Sequence, residues 1–294
     1  MDKKIYALGF FDGVHLGHQA LLTACRELAE EHGCAAAAVT FTTHPDGLVL
    51  GKAPALLNTI EDKTRILCAY GMADVLALPF DETLMSTPWW EFLEALLARG
   101  AAGFVCGDDF RFGAKGEGTA EKLAAFCKER DLPCAIVPEQ VLDGERISSS
   151  RIRACLEQGD LEQANRLLGH PMLLTGTVQA GKQLGRALGF PTANLTFPED
   201  LIVPRFGVYA CSVSVDADIY YGVANIGTRP TVDGEGVTIE VHLLDFAGDL
   251  YGKEISVAFY KFLRPEQKFA SLEELQKEIQ KNALETRIFF EKSQ

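Results

Sequence analysis

Two histidines, His15 and His18, stand at the end of a glycine-rich stretch, GFFDGVHLGH (residues 9–18). An apolar run precedes the stretch and an amphipathic pattern follows it, which predicts a strand, a tight turn and a helix start. The free N–H groups and positive dipole end of a helix start bind anions. Two imidazoles on one side of the first turn can also donate to phosphate oxygens and stabilise charge developing in nucleotidyl transfer. Either histidine alone is more typical of a solvated turn or a cap, but the whole stretch favours an anion site.

Two further segments are expected at the same edge of the protein. The loop GDDFRFG (residues 107–113) alternates aromatic and charged residues, so it either holds a ligand or tucks Phe110 and Phe112 into the core. The stretch ISSSRIR (residues 147–153) opens a predicted helix. Its serines are either helix caps or, together with two arginines and free N–H groups, a phosphate clamp.

The second half of the chain carries polar groups suited to nucleotide chemistry. The stretch GKQLGRALG (residues 181–189) is glycine-rich and basic, as a polyphosphate loop would be, but it departs from the P-loop pattern. Thr192 and Asn194 offer oxygen ligands to Mg²⁺ carried on a nucleotide, with an ordinary β-turn as the alternative. Glu240 and His242 share one face of a predicted strand. Glu240 can be a general base if that face is the barrel interior or mouth, whereas a solvated outer face is the alternative.

The first half alternates strand-length apolar runs with helical patterns. Strands are predicted at residues 5–11, 35–41, 74–78, 103–106 and 134–137, and helices at 18–32, 60–70, 88–99, 119–130 and 161–168. Repeated β–α units predict a Rossmann-like α/β domain, a parallel sheet with helices on both faces. Ligands in such sheets bind at the carboxyl ends of the strands, which is where residues 9–18 are expected.

The pattern changes at residue 169, so we predict an α/β domain at 1–169 and a second domain at 170–294. Five or six β-rich runs without intervening helices predict an antiparallel β-barrel. A C-terminal helix closes the chain, with Ser271 and Glu274 as a capping box. Its predicted buried stripe is Leu272, Leu275, Ile279, Ile288 and Phe289.

The composition excludes several classes of protein. A net charge of −13 over 294 residues argues against a broad nucleic-acid surface, although a local nucleotide site remains compatible with it. None of the eight cysteines forms a C-x-x-C pair, which argues against a zinc knuckle. No apolar stretch approaches the roughly 20 residues of a membrane span. We therefore expect a soluble cytoplasmic protein with free thiols.

Nine strings in register resemble the prokaryotic bifunctional riboflavin kinase/FAD synthetases over nearly the whole chain. They are GFFDGVHLGH, GDDFRFG, ISSSRIR, GRALGFPTANL, GVYA, VANIG-x-RPT, EVHLLDF, LYGKEI and LRPEQKF. The resemblance implies an N-terminal FMN adenylyltransferase and a C-terminal riboflavin kinase barrel. The barrel would phosphorylate riboflavin with ATP and Mg²⁺ to give FMN. The N-terminal domain would transfer AMP from a second ATP to FMN, giving FAD and pyrophosphate.

The resemblance also implies roles for individual residues. His15 and His18 would be catalytic in adenylyl transfer, and Glu240 would be the base of the kinase. The residues implied to bind the nucleotide or its phosphates are Gly9, Phe11, Asp12, Gly13, Gly17, Ser149, Ser150, Arg153, Gly181, Lys182, Gly185 and Arg186. Those implied to hold the flavin are Asp109, Phe110 and Arg111, and those implied to position the metal are Thr192 and Asn194. Asp109 stands where some members carry Asn, which leaves its exact role open.

Two other functions compete with this interpretation. A flavin- or nucleotide-sensing regulator would bind without turnover, but it would need damaged catalytic positions or an added DNA-binding segment. An adenylyltransferase for another phosphate ester explains the first domain and leaves the barrel motifs without a purpose. We expect riboflavin, FMN and ATP as partners, no nucleic acid or membrane, and a monomer or weak homo-oligomer.

Overall fold

The chain folds into two units, Met1–Ser149 and Ser150–Gln294, each described below by itself. The structure is a computed structural model and describes residues 3–179, 189–231 and 234–292. The units divide twenty residues before the predicted boundary at 169. The reason is that the helix at residues 161–168 is joined to the second unit through Asn165. The Asn165 side chain donates to the Phe259 carbonyl and accepts from the Met172 N–H, both at 2.8 Å. The limits of the functional domains stay a prediction.

The first unit is built on a parallel sheet. Its strands are β1 (Lys4–Leu8), β2 (Ala35–Phe41), β3 (Asp74–Leu78), β4 (Ala101–Gly107) and β5 (Cys134–Val137). They lie in the order β3-β2-β1-β4-β5, all parallel. The strand order therefore reverses between β1 and β4, and a crevice opens at the carboxyl ends of these two strands.

Helices cover both faces of this sheet. They are α1 (Leu16–Glu31), α2 (Asp46–Val49), α3 (Ile60–Ala69), α4 (Glu82–Ser86), α5 (Trp89–Leu97) and α6 (Ala120–Glu129). One core cluster joins Tyr6 and Leu8 of β1 to α5 and α6, whereas α1 packs on the strands without joining that cluster, which indicates the opposite face. The predicted α/β class is confirmed. A fully buried leucine such as Leu93 contributes about 1.5–3 kcal/mol of transfer free energy.

The second unit is a nearly closed antiparallel barrel. The first unit also contains a small hairpin of β6 (Val141–Leu142) and β7 (Glu145–Arg146), so the barrel strands are numbered from β8. They are β8 (Met172–Thr177), β9 (Ala193–Thr196), β10 (Gly207–Val215), β11 (Asp218–Thr231), β12 (Gly234–Leu243) and β13 (Glu254–Arg264). The barrel order is β8-β13-β10-β11-β12-β9. A bridge between Gln179 and Asn194 brings the two edges together. The predicted barrel is confirmed.

The remaining helices are α7 (Ser149–Gln158), α8 (Leu161–Leu168) and α9 (Leu272–Lys292); apart from Ser149, the first residue of α7, they belong to the second unit. The predicted cap of α9 is confirmed for Ser271, whose Oγ accepts from Glu274 N–H at 3.2 Å, while the Glu274 carboxylate accepts from Ala270 N–H at 3.1 Å rather than from Ser271 N–H. The predicted stripe is wrong at Leu272 and Ile288, which are exposed, whereas Leu275, Ile279 and Phe289 are partly buried. The fully buried residues of α9 are Asn282, Thr286 and Phe290. Among the described residues, no helix combines the length and hydropathy that a membrane crossing requires.

Candidate functional site

A cavity of about 270 Å³ lies at the carboxyl ends of β1, β4 and β5 in the first unit. Its walls come from the three segments that the sequence singled out: the turn after β1, the loop after β4 and the start of the ISSSRIR stretch. Because the strand order reverses between β1 and β4, this is the place where a doubly wound sheet binds a ligand. The structure thus brings Gly9, His15, Gly17, His18 and Ser149 together in one cavity.

His15 and His18 form a stacked pair on the cavity wall. Their ring centroids lie 3.7 Å apart and their planes differ by 13°. His15 Nδ1 accepts a hydrogen bond from His18 N–H at 3.3 Å, so His15 caps α1 and lines the cavity at the same time. Gly17 permits this arrangement, since a Cβ there would lie 3.1 Å from His15 Cε1.

His18 is held in an environment that keeps its imidazole neutral. Burial, and then the nearby His15 and Lys63, lower the pKa of His18 well below its ordinary value of 6.5. Its Nδ1 is buried and has no hydrogen-bond partner within the part of the chain that the structure describes. An unpaired buried polar atom costs about 1–3 kcal/mol. Such a cost is typical of groups that are placed for a ligand.

The depressed pKa of His18 predicts that the first unit loses stability in acid. Below pH 6.5 the imidazole is protonated in the unfolded chain but stays neutral in the folded chain. The free energy of unfolding therefore decreases as the pH is lowered, by at most about 1.4 kcal/mol per pH unit. Urea unfolding followed by tryptophan fluorescence between pH 7.5 and 5.5 measures this, because Trp89 and Trp90 both lie in the first unit. The variant His18→Gln should show a shallower slope, and an unchanged slope would contradict the assignment.

Residues 11–14 of the turn before His15 are buried and do not line the cavity. Phe11, Asp12 and Gly13 were predicted to touch the nucleotide, but they do not line the cavity. Asp12 Oδ1 accepts from Leu57 N–H at 2.8 Å, and Gly13 adopts a φ of 79° that favours glycine. These residues hold the turn in shape.

Ser149 ties the start of α7 to the same turn. Its Oγ donates to the Asp12 carbonyl at 3.0 Å, and Ser148 and Ser149 both line the cavity. Ser150 and Arg153 follow in α7 but belong to the second unit. Their part in a phosphate clamp therefore stays a prediction.

An ion-pair network forms another wall of the cavity. Arg146 pairs with Asp109 and with Glu139, the latter at 2.5 Å between Nε and Oε1. The hydrogen bond to Asp109 raises the pKa of Arg146, which therefore stays charged. Sequence reasoning missed Arg146, although it stands directly before the ISSSRIR stretch. It supplies the cavity with a cation on the β7 strand.

A larger apolar cavity of about 740 Å³ lies in the same unit. Its aromatic lining was not predicted as a site and consists of Phe41, Phe80, Phe92 and Phe112. The loop after β4 contributes to both cavities: Asp109 and Phe110 line the first one, and Arg111 lines the apolar one. Of the two aromatic residues of this loop, Phe112 packs into the core, and Phe110, which was predicted to hold the flavin, stacks on Phe112 with ring centroids 5.6 Å apart.

In the second unit, Glu240 and His242 lie on the outer face of the barrel. Ile239 and Val241, the two residues that flank Glu240, are fully buried in the core, so Glu240 and His242 face away from the barrel interior and the role of Glu240 as a base stays a prediction. Glu240 is nevertheless half-buried. Its neighbours across the sheet, in register, are Asn194 on β9 and Asn225 on β11.

The predicted metal ligands line a cavity of about 420 Å³ in the barrel unit. Thr192, Asn194 and Asp249 all contribute to its wall. Within residues 3–179, 189–231 and 234–292 no group of three or more His, Cys, Asp or Glu side chains is placed to hold a metal ion. This oxygen set fits a magnesium ion that arrives on nucleotide phosphates and keeps several waters. The predicted phosphate residues Gly181, Lys182, Gly185 and Arg186 lie outside the described residues.

A second cavity of the barrel unit, with a volume of about 320 Å³, lies between β12 and α9. His242 lines it, and His242 Nδ1 also lies 2.9 Å from the Pro191 carbonyl, just before Thr192. Arg287 of α9 closes one side through two hydrogen bonds to Asp245, at 2.6 and 2.8 Å. The outer face around Glu240 is therefore flanked by cavities that contain Asn194 and His242 respectively.

Comparisons with known proteins match a different family model to each half of the chain. One family model, described as FAD synthetase, matches residues 1–151, and another, described as riboflavin kinase, matches residues 168–290. A bifunctional riboflavin kinase/FMN adenylyltransferase of Listeria monocytogenes is 38% identical over 294 residues, which cover 99% of this chain and 93% of that protein. The chain belongs to the bifunctional riboflavin kinase/FMN adenylyltransferase family.

Other similar proteins extend this result. The bifunctional riboflavin kinase/FMN adenylyltransferase of Escherichia coli K12 is 40% identical over 290 residues, covering 97% of this chain and 92% of that protein. A solved structure from Streptococcus pneumoniae, described as a macrolide-efflux protein, has a TM-score of 0.84 and 30% identity, with 97% of this chain and 94% of that chain covered. As a bifunctional riboflavin kinase/FMN adenylyltransferase, the enzyme carries its FAD synthetase match at the N-terminus and its riboflavin kinase match at the C-terminus.

Proposed function

We propose that the His15–His18 cavity carries out the adenylylation of FMN and that the outer face around Glu240 carries out the phosphorylation of riboflavin. ATP is the donor in both steps. The observation that supports the first assignment is the stacked histidine pair, which lies where the strand order reverses. The loop after β4 lines both the cavity of this pair and the aromatic cavity. The register of Glu240 with Asn194 carries the second.

In the adenylyl transfer, a phosphate oxygen of FMN attacks the α-phosphorus of ATP and the bond to pyrophosphate breaks. His15 and His18 donate hydrogen bonds to the phosphate oxygens, and the N-terminus of α1 adds its dipole. Arg146 can leave its carboxylate partners to pair with the triphosphate. No covalent enzyme intermediate is needed, because positioning and electrostatics supply most of the rate in such transfers.

The aromatic cavity is the proposed site of the flavin ring. Phe41, Phe80, Phe92 and Phe112 offer apolar surface to the isoalloxazine, while Arg111 and Lys115 on the same wall can pair with the phosphate of FMN. The shared loop after β4 then places that phosphate next to the nucleotide cavity. Asp109 and Phe110 serve the nucleotide side of this loop.

In the kinase, Glu240 removes the proton of the ribityl 5′-hydroxyl, whose oxygen attacks the γ-phosphorus while ADP leaves. Opposed residues on neighbouring strands have Cβ atoms about 4.5–5.5 Å apart, so Glu240 is within reach of a ligand held at Asn194. Thr192 and Asn194 would hold Mg²⁺ together with the phosphates, and the ion neutralises charge there when it is bound. The cavity beside α9 is the proposed flavin side of this site.

The remaining proposals concern the setting of the enzyme. We propose that it acts in the cytoplasm on small molecules alone, as a monomer or weak homo-oligomer. All eight cysteines are free thiols, as in a reducing compartment, and the net charge of −13 disfavours nucleic acid.

A time-resolved assay with the full chain tests the proposed function. Riboflavin, ATP and MgCl₂ should give FMN first and FAD later, as separated by chromatography, and chelation of Mg²⁺ by EDTA should stop both. FMN without FAD would refute the adenylylation assignment. FAD formation from supplied FMN, without any phosphorylation of riboflavin, would refute the kinase assignment.

A further inference from the structure

One buried lysine of the first unit has no part in the proposed chemistry. Lys63 lies on α3 with 2% of its surface exposed. Lysine is almost never fully buried unless it is paired, because the ammonium group loses its hydration. Burial lowers the pKa of Lys63 to about 8, and attraction by Asp12 opposes this shift only in part. The fold therefore places a costly charge at this position.

The ammonium group joins the ends of two adjacent strands. Lys63 Nζ donates to the Phe10 carbonyl at 3.0 Å and to the Phe41 carbonyl at 3.4 Å, and it lies 3.5 Å from Thr40 Oγ1. Thr40 Oγ1 itself donates to the Phe10 carbonyl at 2.7 Å. The ring of Phe10 also lies 3.9 Å from Nζ, within the range of a cation–π contact.

The two carbonyls belong to residues of different cavities. Phe10 lines the cavity of His15 and His18, and Phe41 lines the aromatic cavity. Phe41 is the last residue of β2 and pairs with Leu78 of β3, whereas Phe10 lies two residues beyond the end of β1, where side chains hold its carbonyl. Thr40 makes one connection between β2 and the Phe10 carbonyl, and the ammonium group of Lys63, with its three donors, adds a second one that also includes the Phe41 carbonyl. Lys63 also lowers the pKa of His18 through its charge.

We propose that Lys63 is a positioning residue for adenylyl transfer, which fixes the ends of β1 and β2 and so sets the separation of the nucleotide and flavin cavities. This inference rests on the proposed function of the two cavities. A displacement of reacting groups by about 1 Å costs roughly 100-fold in rate, so loosening this connection is expected to reduce the rate strongly. Neither substrate needs to touch Lys63 for this effect.

The test compares Lys63→Met and Lys63→Arg in the full chain. We expect Lys63→Met to lower kcat for FMN adenylylation about 100-fold while KM for ATP and FMN changes less than about threefold, because alignment rather than uniform binding is lost. Lys63→Arg, which keeps the charge and several donors, should recover at least about a tenth of the wild-type kcat. Riboflavin kinase activity of the same samples should stay within about twofold.

Lys4→Met is the matched control. Lys4 lies at the amino end of β1, where its Nζ pairs with Asp74 at 2.5 Å, far along the strand from both cavities. We expect wild-type adenylylation from this variant. An equal loss in Lys4→Met and Lys63→Met would show a general weakening of the sheet and would overturn the proposal.

Other outcomes also decide the question. A kcat for adenylylation by Lys63→Met within about threefold of wild type overturns the proposal. So does a decrease in kcat that parallels a decrease in Tm among the variants and that Lys63→Arg does not restore. If Lys63→Met does not fold, Lys63→Gln replaces it, and a wild-type kcat there overturns the proposal. A wild-type chain that makes no FAD refutes the proposed function instead, so the two failures are distinguishable.

Discussion

His18→Ala is expected to lower FMN adenylylation by about 100-fold or more while riboflavin phosphorylation stays within about twofold. The imidazole is one of two that line the cavity, and loss of a single preorganised donor to a developing oxyanion costs about 10²–10³ in rate. The effect should lie in kcat, because the donor acts on charge that develops in the transition state. Chromatography of FMN and FAD, with FMN supplied for the first step and riboflavin for the second, measures both activities.

The control for this variant is His32→Ala. His32 is exposed at the opposite end of the same helix, so its loss removes an imidazole from α1 without touching the cavity. It should leave both activities unchanged. Equal damage from His18→Ala and His32→Ala would mean that the stability of α1, and not the histidine pair, governs the reaction.

The placement of the histidine pair could be predicted from the sequence because each step of the argument is local. An apolar run, a glycine-containing turn and an amphipathic pattern define a strand, a turn and a helix, and the β–α repeat then fixes which sheet edge they share. The loop after β4 and the ISSSRIR stretch follow the same logic, and both line the predicted cavity. That Asp12 and Phe11 are buried could not be predicted, since turn residues give no local sign of which way they point.

The aromatic cavity and Lys63 could not be predicted because they depend on tertiary contacts. Phe41, Phe80 and Phe92 come from a strand end, a loop and a helix that carry no shared motif. Lys63 is one of several charged residues on an amphipathic helix, where a solvated face is the ordinary interpretation. Only the approach of α3 to the ends of β1 and β2 distinguishes it.

The buried face predicted for α9 was wrong at two positions because it, too, depends on tertiary contacts. Counting apolar residues selected Leu272 and Ile288, which are exposed, while the helix buries Asn282. Arg264 Nε donates to Asn282 Oδ1 at 3.0 Å, and Phe290 stacks on Tyr221 with centroids 4.1 Å apart. A polar partner on the barrel thus sets the rotation of the helix, and the sequence of the helix alone does not contain that partner.

Glu240→Gln is expected to have the largest effect on the other activity. It should lower kcat for riboflavin phosphorylation by about 10²–10⁴, the range for loss of a general base, because the amide keeps the shape and the hydrogen-bonding capacity but not the basicity. FMN adenylylation with supplied FMN should stay within about twofold of wild type. A spectrophotometric ADP-release assay with riboflavin, and chromatography of FAD from FMN, measure the two steps in the same preparation.

Glu254→Gln is the matched control, since Glu254 is an exposed carboxylate at the start of β13 in the same barrel. It should retain riboflavin phosphorylation, which separates a role of Glu240 as base from a general effect of one negative charge on the barrel. If Glu240→Gln phosphorylates riboflavin like wild type, the outer face around Asn194 is not where the hydroxyl loses its proton. If His18→Ala and Glu240→Gln each damage both steps equally, the two reactions are not divided between the units, because each variant changes only the side chain of one site.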